Sequence, residues 1–319
     1  MKKRVLTLKP TSDQLHIGNY FGAIKQIIDL QNHADYEVYL FVASLHALTT
    51  LHDADQLRAN TRFFIKMYLA CGVDPDKVFL YDQTQIPAHT QLSRVLSCIT
   101  HMFMQRMHAY KDAAAKGSDT LSVGTFCYPI LQAADIVLYD VDYVPVGKDQ
   151  KQHIEYSRDI AEKFNRQYGD VFVLPEPLIV EEVATVPGID GRKMSKSYGN
   201  YLGLLDAPEV LKKKIKMIVT DALPIEASKD PDTCNVYNIL KLFLSPEEDA
   251  IVRKRYTDGL GYGVIKEELY QKVVEFVTPI QERFAQLDDT MIEQMLITNH
   301  RANEIASHKI EQVYRAVLI

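Results

Sequence analysis

Apolar positions recur at two different periods along this chain, and the change of period marks its plan. Val5–Leu8 is a short apolar run, followed by a polar, turn-rich stretch and then by Ile17, Phe21, Ile24 and Ile28 at helical spacing. That pattern predicts a first strand, a turn and a first helix, capped by Ser12 or Asp13. Glu37–Ala43, reading EVYLFVA, has the look of a buried strand. Arg58–Ala70 carries Phe63, Ile65, Tyr68 and Leu69 at helical spacing, and Gly72 and Pro75 end it. Val78–Tyr81 is a third strand. Strands alternating with helices argue for right-handed βαβ units and a parallel sheet. Such a sheet takes ligands beyond the carboxyl ends of its strands, where the first turn falls.

Further on, residues 88–110 read as helix, with Met102, Met104 and Met107 as core filler. Residues 111–120 read as a mobile polar loop, whose Lys111 and Lys116 either reach phosphates or are solvated. Residues 125–165 divide into a helix holding Gln132 and Asp135, a strand ending near Val146, a turn at Gly147 and a second helix. Phe172–Leu174 reads as another strand. From Asp206 the text becomes helical and rich in charge, through a last helix around Ala302–Val317. The expected division is therefore an α/β domain with a parallel sheet over 1–186, a mobile loop over 187–200 and a helical domain over 201–319. The last helix is allowed to pack back on the first domain.

Composition narrows the partners. The 319 residues hold 36 Lys and Arg against 42 Asp and Glu, a net charge of -6, so an RNA partner has to be met by local basic patches. Lys212, Lys213, Lys214 and Lys216 form such a run, either an RNA contact or a solvated helix face. Cys71, Cys98, Cys127 and Cys234 include no CxxC pair, which points to reduced thiols rather than a zinc site or disulfide framework. No apolar run approaches the roughly 18–20 residues a membrane span needs, and the opening MKKRVLTL is too short in its apolar part for a signal peptide. A soluble, cytoplasmic protein is the expectation.

Three stretches carry chemistry. Lys9–Ala23, KPTSDQLHIGNYFGA, places a helix N-terminus behind a strand, and such a terminus favours anions. There His16 can donate to a phosphate oxygen, and Gly18 lets a planar base or sugar approach the backbone. Residues 191–197 read GRKMSKS, far downstream. Tyr128, Gln132 and Asp135 stand at i, i+4 and i+7 and share one helix face, with the small Ala133 and Ala134 leaving room for a wide ring. A carboxylate on the floor of that pocket can accept from an indole N–H or a phenol O–H. Asp149, just past a strand end, can accept both hydroxyls of a ribose.

His16-Ile17-Gly18 followed by Lys193-Met194-Ser195-Lys196-Ser197 resembles the two signatures of class I aminoacyl-tRNA synthetases. HIGNYFGAI, YPILQAADIVLY, VPVGKDQKQHIEYSRDIAEKFN, GYGVIKEELY and PIQERF resemble bacterial tryptophanyl-tRNA synthetases over nearly the whole chain. The resemblance implies a Rossmann-type α/β catalytic domain over 1–186, a helical anticodon-binding domain over 201–319, L-tryptophan, ATP with Mg²⁺ and tRNA(Trp) as partners, a homodimer, no membrane and no metal site of the protein's own. On the nucleotide side it implies Lys9, Pro10, Thr11, Ser12, Gly18, Asn19, Gly147, Lys148, Asp149, Val186, Lys193, Met194, Ser195, Lys196 and Ser197. On the tryptophan side it implies Lys9, His46, Tyr128, Gln132, Asp135, Val144, Val146 and Gln150. Asp135 would read the indole N–H, and Tyr128 and Gln150 the amino group. His16, Lys193 and Lys196, with Mg²⁺, would neutralise charge developing on the phosphates. The sequence departs from the family's pattern in four places. The turn Pro10–Gln14 lacks its glycine, Lys148 stands where glutamate is common, Ser44 replaces an aspartate, and Ala113 replaces a loop lysine that Lys116 could stand in for.

In the implied reaction the tryptophan carboxylate attacks the α-phosphorus of ATP, and the terminal adenosine of tRNA then takes the tryptophanyl group. The carboxylate is already a nucleophile, so positioning and charge stabilisation suffice. A tyrosyl-tRNA synthetase shares the pocket spacing, but DQKQH and the paired alanines favour tryptophan. A small-molecule nucleotidyltransferase has no need of the second signature or of a long helical appendix. A catalytically inactive relative, acting as a regulator or RNA-binding module, is the third alternative.

Overall fold

The computed structural model describes residues 2–9, 14–100, 122–147, 151–179, 186–225, 227–298 and 300–318. Several expectations lie outside these residues: Pro10, Thr11, Ser12, Asp13, Lys148, Asp149, Gln150, the side chain of Lys9 and everything read into 101–121.

Five parallel strands form one sheet: β1 (Lys3–Lys9), β2 (Tyr36–Val42), β3 (Val78–Asp82), β4 (Tyr143–Val146) and β5 (Glu176–Ile179), in the order β3-β2-β1-β4-β5. Strand order reverses between β1 and β4, which makes the crevice beyond their carboxyl ends the natural ligand site. β2 shows why the sheet is central. Val38, Leu40 and Val42 face one buried cluster, and Tyr39, Phe41 and Ala43 face the other. A strand covered on both faces reads as one continuous apolar run, as EVYLFVA does.

Helices follow the strands. After β1 a short α turn (Ile17–Asn19), a π turn (Tyr20–Ile24) and an α-helix (Lys25–Gln31) run on as α1. Next come α2 (Ser44–Ala47), α3 (Ala54–Ala70), α4 (Ala88–Ile99), α5 (Val123–Val137) and α6 (Lys151–Tyr168). Asp53 caps α3 by accepting from the backbone N–H groups of Asp55 and Gln56. The first helix starts later than expected. His16, not Ser12 or Asp13, occupies the cap, and the Asn19 side chain accepts its backbone N–H at 3.0 Å.

A second correction concerns Phe172–Leu174, which is not a strand. The side chain of Asn165 accepts from the N–H groups of Val171 and Phe172 and donates to the Phe172 carbonyl, so these groups are unavailable to a ladder. The strand forms at Glu176–Ile179 instead, on the sheet edge where Pro177 is tolerated.

Beyond residue 200 the described elements are helical: α7 (Pro208–Lys216), α8 (Asn235–Leu240), α9 (Pro246–Thr257), α10 (Tyr262–Gln286), α11 (Asp289–Thr298) and α12 (Arg301–Leu318), with short 3-10 turns between some of them. One apolar cluster runs without a break from Ile24, Val38 and Ile65 beside the sheet to Leu211, Ile239, Ile265 and Leu269 among these helices. Arg283 of α10 donates to the Ala70 carbonyl, and Gln281 to the carbonyls of Leu204 and Asp206. The last helix returns to the other face of the sheet, where Ala302, Ala306, Ile310 and Val313 join the cluster of Leu6, Tyr39 and Phe41. Among the described residues no helix is long and apolar enough to cross a membrane.

Candidate active site

The two signature segments meet. The backbone around His16 pairs antiparallel with Gly203, through Ile17 N–H to the Leu202 carbonyl and Leu204 N–H to the Leu15 carbonyl, both 3.0 Å. Chain following the Lys193–Ser197 loop is thereby fixed to the turn after β1. Between them lies a cavity of about 440 Å³ lined by His16, Gly18, Asn19, Val186, Lys193, Met194, Ser195 and Tyr198. A Cβ on Gly18 would stand 3.1 Å from His16 Nδ1 and 3.5 Å from Met194 Cβ, so glycine keeps this wall open. Lys196 and Ser197 sit next in the chain, exposed on a 3-10 turn (Lys196–Tyr198) that Ser195 caps.

His16 is buried, and its Nδ1 has no hydrogen-bond partner among the described residues. Burial pushes its pKa down to about 4, so the ring is neutral at physiological pH. In that state the ring can donate one hydrogen bond.

A residue that sequence reasoning missed holds the loop. Asn200 is buried, its Oδ1 accepts from Ser195 N–H at 2.8 Å, and its Nδ2 donates to Asp190 Oδ1 at 2.6 Å and to the Lys193 carbonyl at 3.1 Å. That amide, then Arg192, keeps the Asp190 carboxyl below the ordinary carboxylate range. Gly188 leaves space for the clamp, since a Cβ there would fall 2.3 Å from Asn200 Nδ2. The Gly199-Asn200 pair was the available signal, but it reads as an ordinary turn.

The second constellation surrounds Asp135, which is fully buried on α5. Its carboxylate accepts from His46 Nε2 at 2.9 Å, Gln83 Nε2 at 2.8 and 3.0 Å, and His89 Nδ1 at 2.7 Å. Burial alone would raise its pKa. The charge and hydrogen bonds of His89 and His46 outweigh burial and hold it below the ordinary range. His46 follows β2 and Gln83 follows β3, so the strand ends deliver both partners. The His46 ring stands edge-on to Tyr128 at 6.1 Å, and Tyr128 lies 6.2 Å from His153. Tyr128 and Gln132 are half-buried on the same helix, Val144 is buried in the core, and Val146 and Gly147 are half-buried at the end of β4. Ser44, where an aspartate was expected, donates its hydroxyl to Asp82 at the end of β3. His89 was also missed. Its signal was a polar residue in register with the core positions Leu92 and Leu96, at i, i+3 and i+7.

Residues 3–278 match the family model of class I tRNA synthetases for W and Y. A tryptophan--tRNA ligase of Fusobacterium nucleatum is 42% identical over 319 residues, spanning 99% of this chain and 97% of that one. The chain belongs to the bacterial class I tryptophanyl-tRNA synthetases. The crystal structure of the Campylobacter jejuni tryptophanyl-tRNA synthetase complexed with ADP and tryptophan superposes with a TM-score of 0.91, at 40% identity, covering 99% of this chain and 100% of that one. The Mycoplasma pneumoniae synthetase gives a TM-score of 0.84 at 27% identity, covering 100% of this chain and 98% of that one. The activity is that of a tryptophan--tRNA ligase, an ATP-dependent enzyme of translation.

Proposed function

We propose that the cavity between the two signature segments takes ATP and that the pocket floored by Asp135 takes the tryptophan ring. One observation carries this reading: His16, Gly18 and Asn19 line the same cavity as Lys193, Met194 and Ser195, although some 175 positions separate them in the chain. The ADP and tryptophan in the Campylobacter jejuni complex support it. ATP enters as its magnesium complex. Among the described residues no group of three or more His, Cys, Asp or Glu side chains is arranged to hold a metal ion of its own.

Tryptophan binds with its indole N–H toward Asp135 and its carboxylate toward the nucleotide. The carboxylate attacks the α-phosphorus, a P–O bond forms to the amino acid, and pyrophosphate leaves. Lys193 and Lys196 close on the phosphates as charge builds there, and neutral His16 donates one hydrogen bond. A hydroxyl of the terminal ribose of tRNA then attacks the carbonyl of the adenylate, and AMP leaves. The tRNA lies along the helical part. Lys213 and Lys216 are exposed there, whereas Lys214 pairs with Asp206 at 2.7 Å and Lys212 approaches Glu267 at 3.5 Å, so the contact falls to the first two. The enzyme acts in the cytoplasm as a homodimer, a reading that rests on its kinship with translation enzymes. Exchange of labelled pyrophosphate into ATP tests the site. It should depend on L-tryptophan and not on L-tyrosine, and exchange without either amino acid would refute the two-pocket reading.

A further inference from the structure

The carboxylate that would read the indole N–H is itself held by groups with no assigned role. Gln83 and His89 are fully buried, whereas the His46 side chain keeps 15% of its surface exposed. A carboxylate only accepts, so His89 carries a hydrogen on Nδ1, and on the far side of the ring Nε2 is hydrogen-bonded to the Tyr139 hydroxyl at 3.1 Å. The rings of Phe41 and Tyr81 lie 5.4 and 6.0 Å from His89 and hinder its rotation. The network joins the turn after β3, helix α4 and helix α5 with the chain just beyond it.

Each of its two oxygens accepts two hydrogen bonds, but from differently placed groups. Oδ1 receives the shorter Gln83 bond and the His89 bond, both from fully buried side chains. Oδ2 receives the longer branch from Gln83 and the bond from His46, the partly exposed partner, on the side where His46 meets Tyr128. A purely structural core gains little from such a cluster, because a buried charge with its partners is seldom more stable than apolar packing of equal volume.

We propose that Gln83, His89 and Tyr139 are positioning residues for amino-acid selection: they hold the Asp135 carboxylate from its buried side and so keep Oδ2 turned toward the His46 and Tyr128 side, from which the indole N–H approaches. This rests on the preceding assignment of Asp135 as the indole acceptor. The test compares tryptophan with its benzothiophene analogue, in which sulfur replaces the indole N–H, by kcat/KM in pyrophosphate exchange. The parent enzyme should prefer tryptophan at least about a hundredfold, since a site built around a donor rejects a ligand lacking it. His89→Ala and Gln83→Ala should each cut that preference about tenfold, the scale of one misplaced buried hydrogen bond. His89→Asn keeps an N–H near the Nδ1 position and should recover most of the preference. Tyr139→Phe conserves volume and should lower it a few-fold. A merely structural role would depress both substrates equally and leave the ratio unmoved. No preference in the parent enzyme would overturn the Asp135 assignment. Full preference in the parent and also in His89→Ala, Gln83→Ala and Tyr139→Phe would overturn the positioning role alone.

Discussion

Replacing Asn200 by alanine removes three hydrogen bonds at once: to Ser195 N–H, the Lys193 carbonyl and the Asp190 carboxylate. Two are neutral, at about 1 kcal/mol each, and the third reaches a charged group at about 2 kcal/mol, so the loop loses on the order of 4 kcal/mol. Lys193, Lys196, Ser197 and Tyr198 are exposed, so part of this loss is relieved by local loosening without global unfolding. If half of it falls on the lysine geometry needed in the transition state, about 2 kcal/mol, adenylate formation slows about thirtyfold. The pocket proposed for tryptophan, around Asp135, is built from other elements, so tryptophan affinity should move less than about twofold to threefold. Pyrophosphate exchange at saturating ATP gives the first quantity, and equilibrium binding of tryptophan gives the second. Exchange within twofold of the parent, or a loss shared equally by tryptophan binding, would refute the clamp.

Lys196→Ala should lower the rate of adenylate formation about a hundredfold or more while leaving tryptophan affinity nearly intact, because its charge matters where negative charge develops; single-turnover kinetics separate the two. Gly188→Ala should imitate Asn200→Ala, since its Cβ would fall 2.3 Å from Asn200 Nδ2. A variant with normal exchange would mean that the loop has slack there. For His16 the folded pKa of about 4 lies below the ordinary 6.5, so between these values the unfolded chain binds the proton and the folded chain does not. Stability is then complete above about pH 6.5 and falls as pH drops toward 4, by up to about 3 kcal/mol. Denaturant titrations from pH 7 to 4 should show a flatter profile for His16→Asn than for the parent, and parallel profiles would contradict the burial argument.

Much of this was legible in the chain. The run EVYLFVA announced a strand buried on both faces, and the order of strands and helices announced a parallel sheet. The resemblance of HIG and KMSKS to class I signatures led to the right family. What failed had local causes. Phe172–Leu174 looks like a strand because of its apolar text, but the side chain of Asn165 takes the backbone N–H groups of Val171 and Phe172, six and seven positions downstream of it, that a strand needs. The burial of His16 was not legible either, because composition does not report it. Gln83, His89 and Asn200 escaped notice because each is an ordinary polar residue in its own segment. Their importance arises only where β3, α4, α5 and the signature loop come together.

The convergence of the two signatures over one nucleotide can be tested by joining them. A Cβ on residue 18 would lie 3.5 Å from Met194 Cβ, within the range a disulfide spans. The double variant Gly18→Cys, Met194→Cys should form that bond on mild oxidation, as mapped by mass spectrometry against the four native cysteines. MgATP should slow its formation, and oxidation should abolish whatever tryptophan-dependent pyrophosphate exchange the reduced double variant retains, reversibly on adding a reductant. Failure of the bond to form, or full exchange in the bonded enzyme, would contradict a shared nucleotide site.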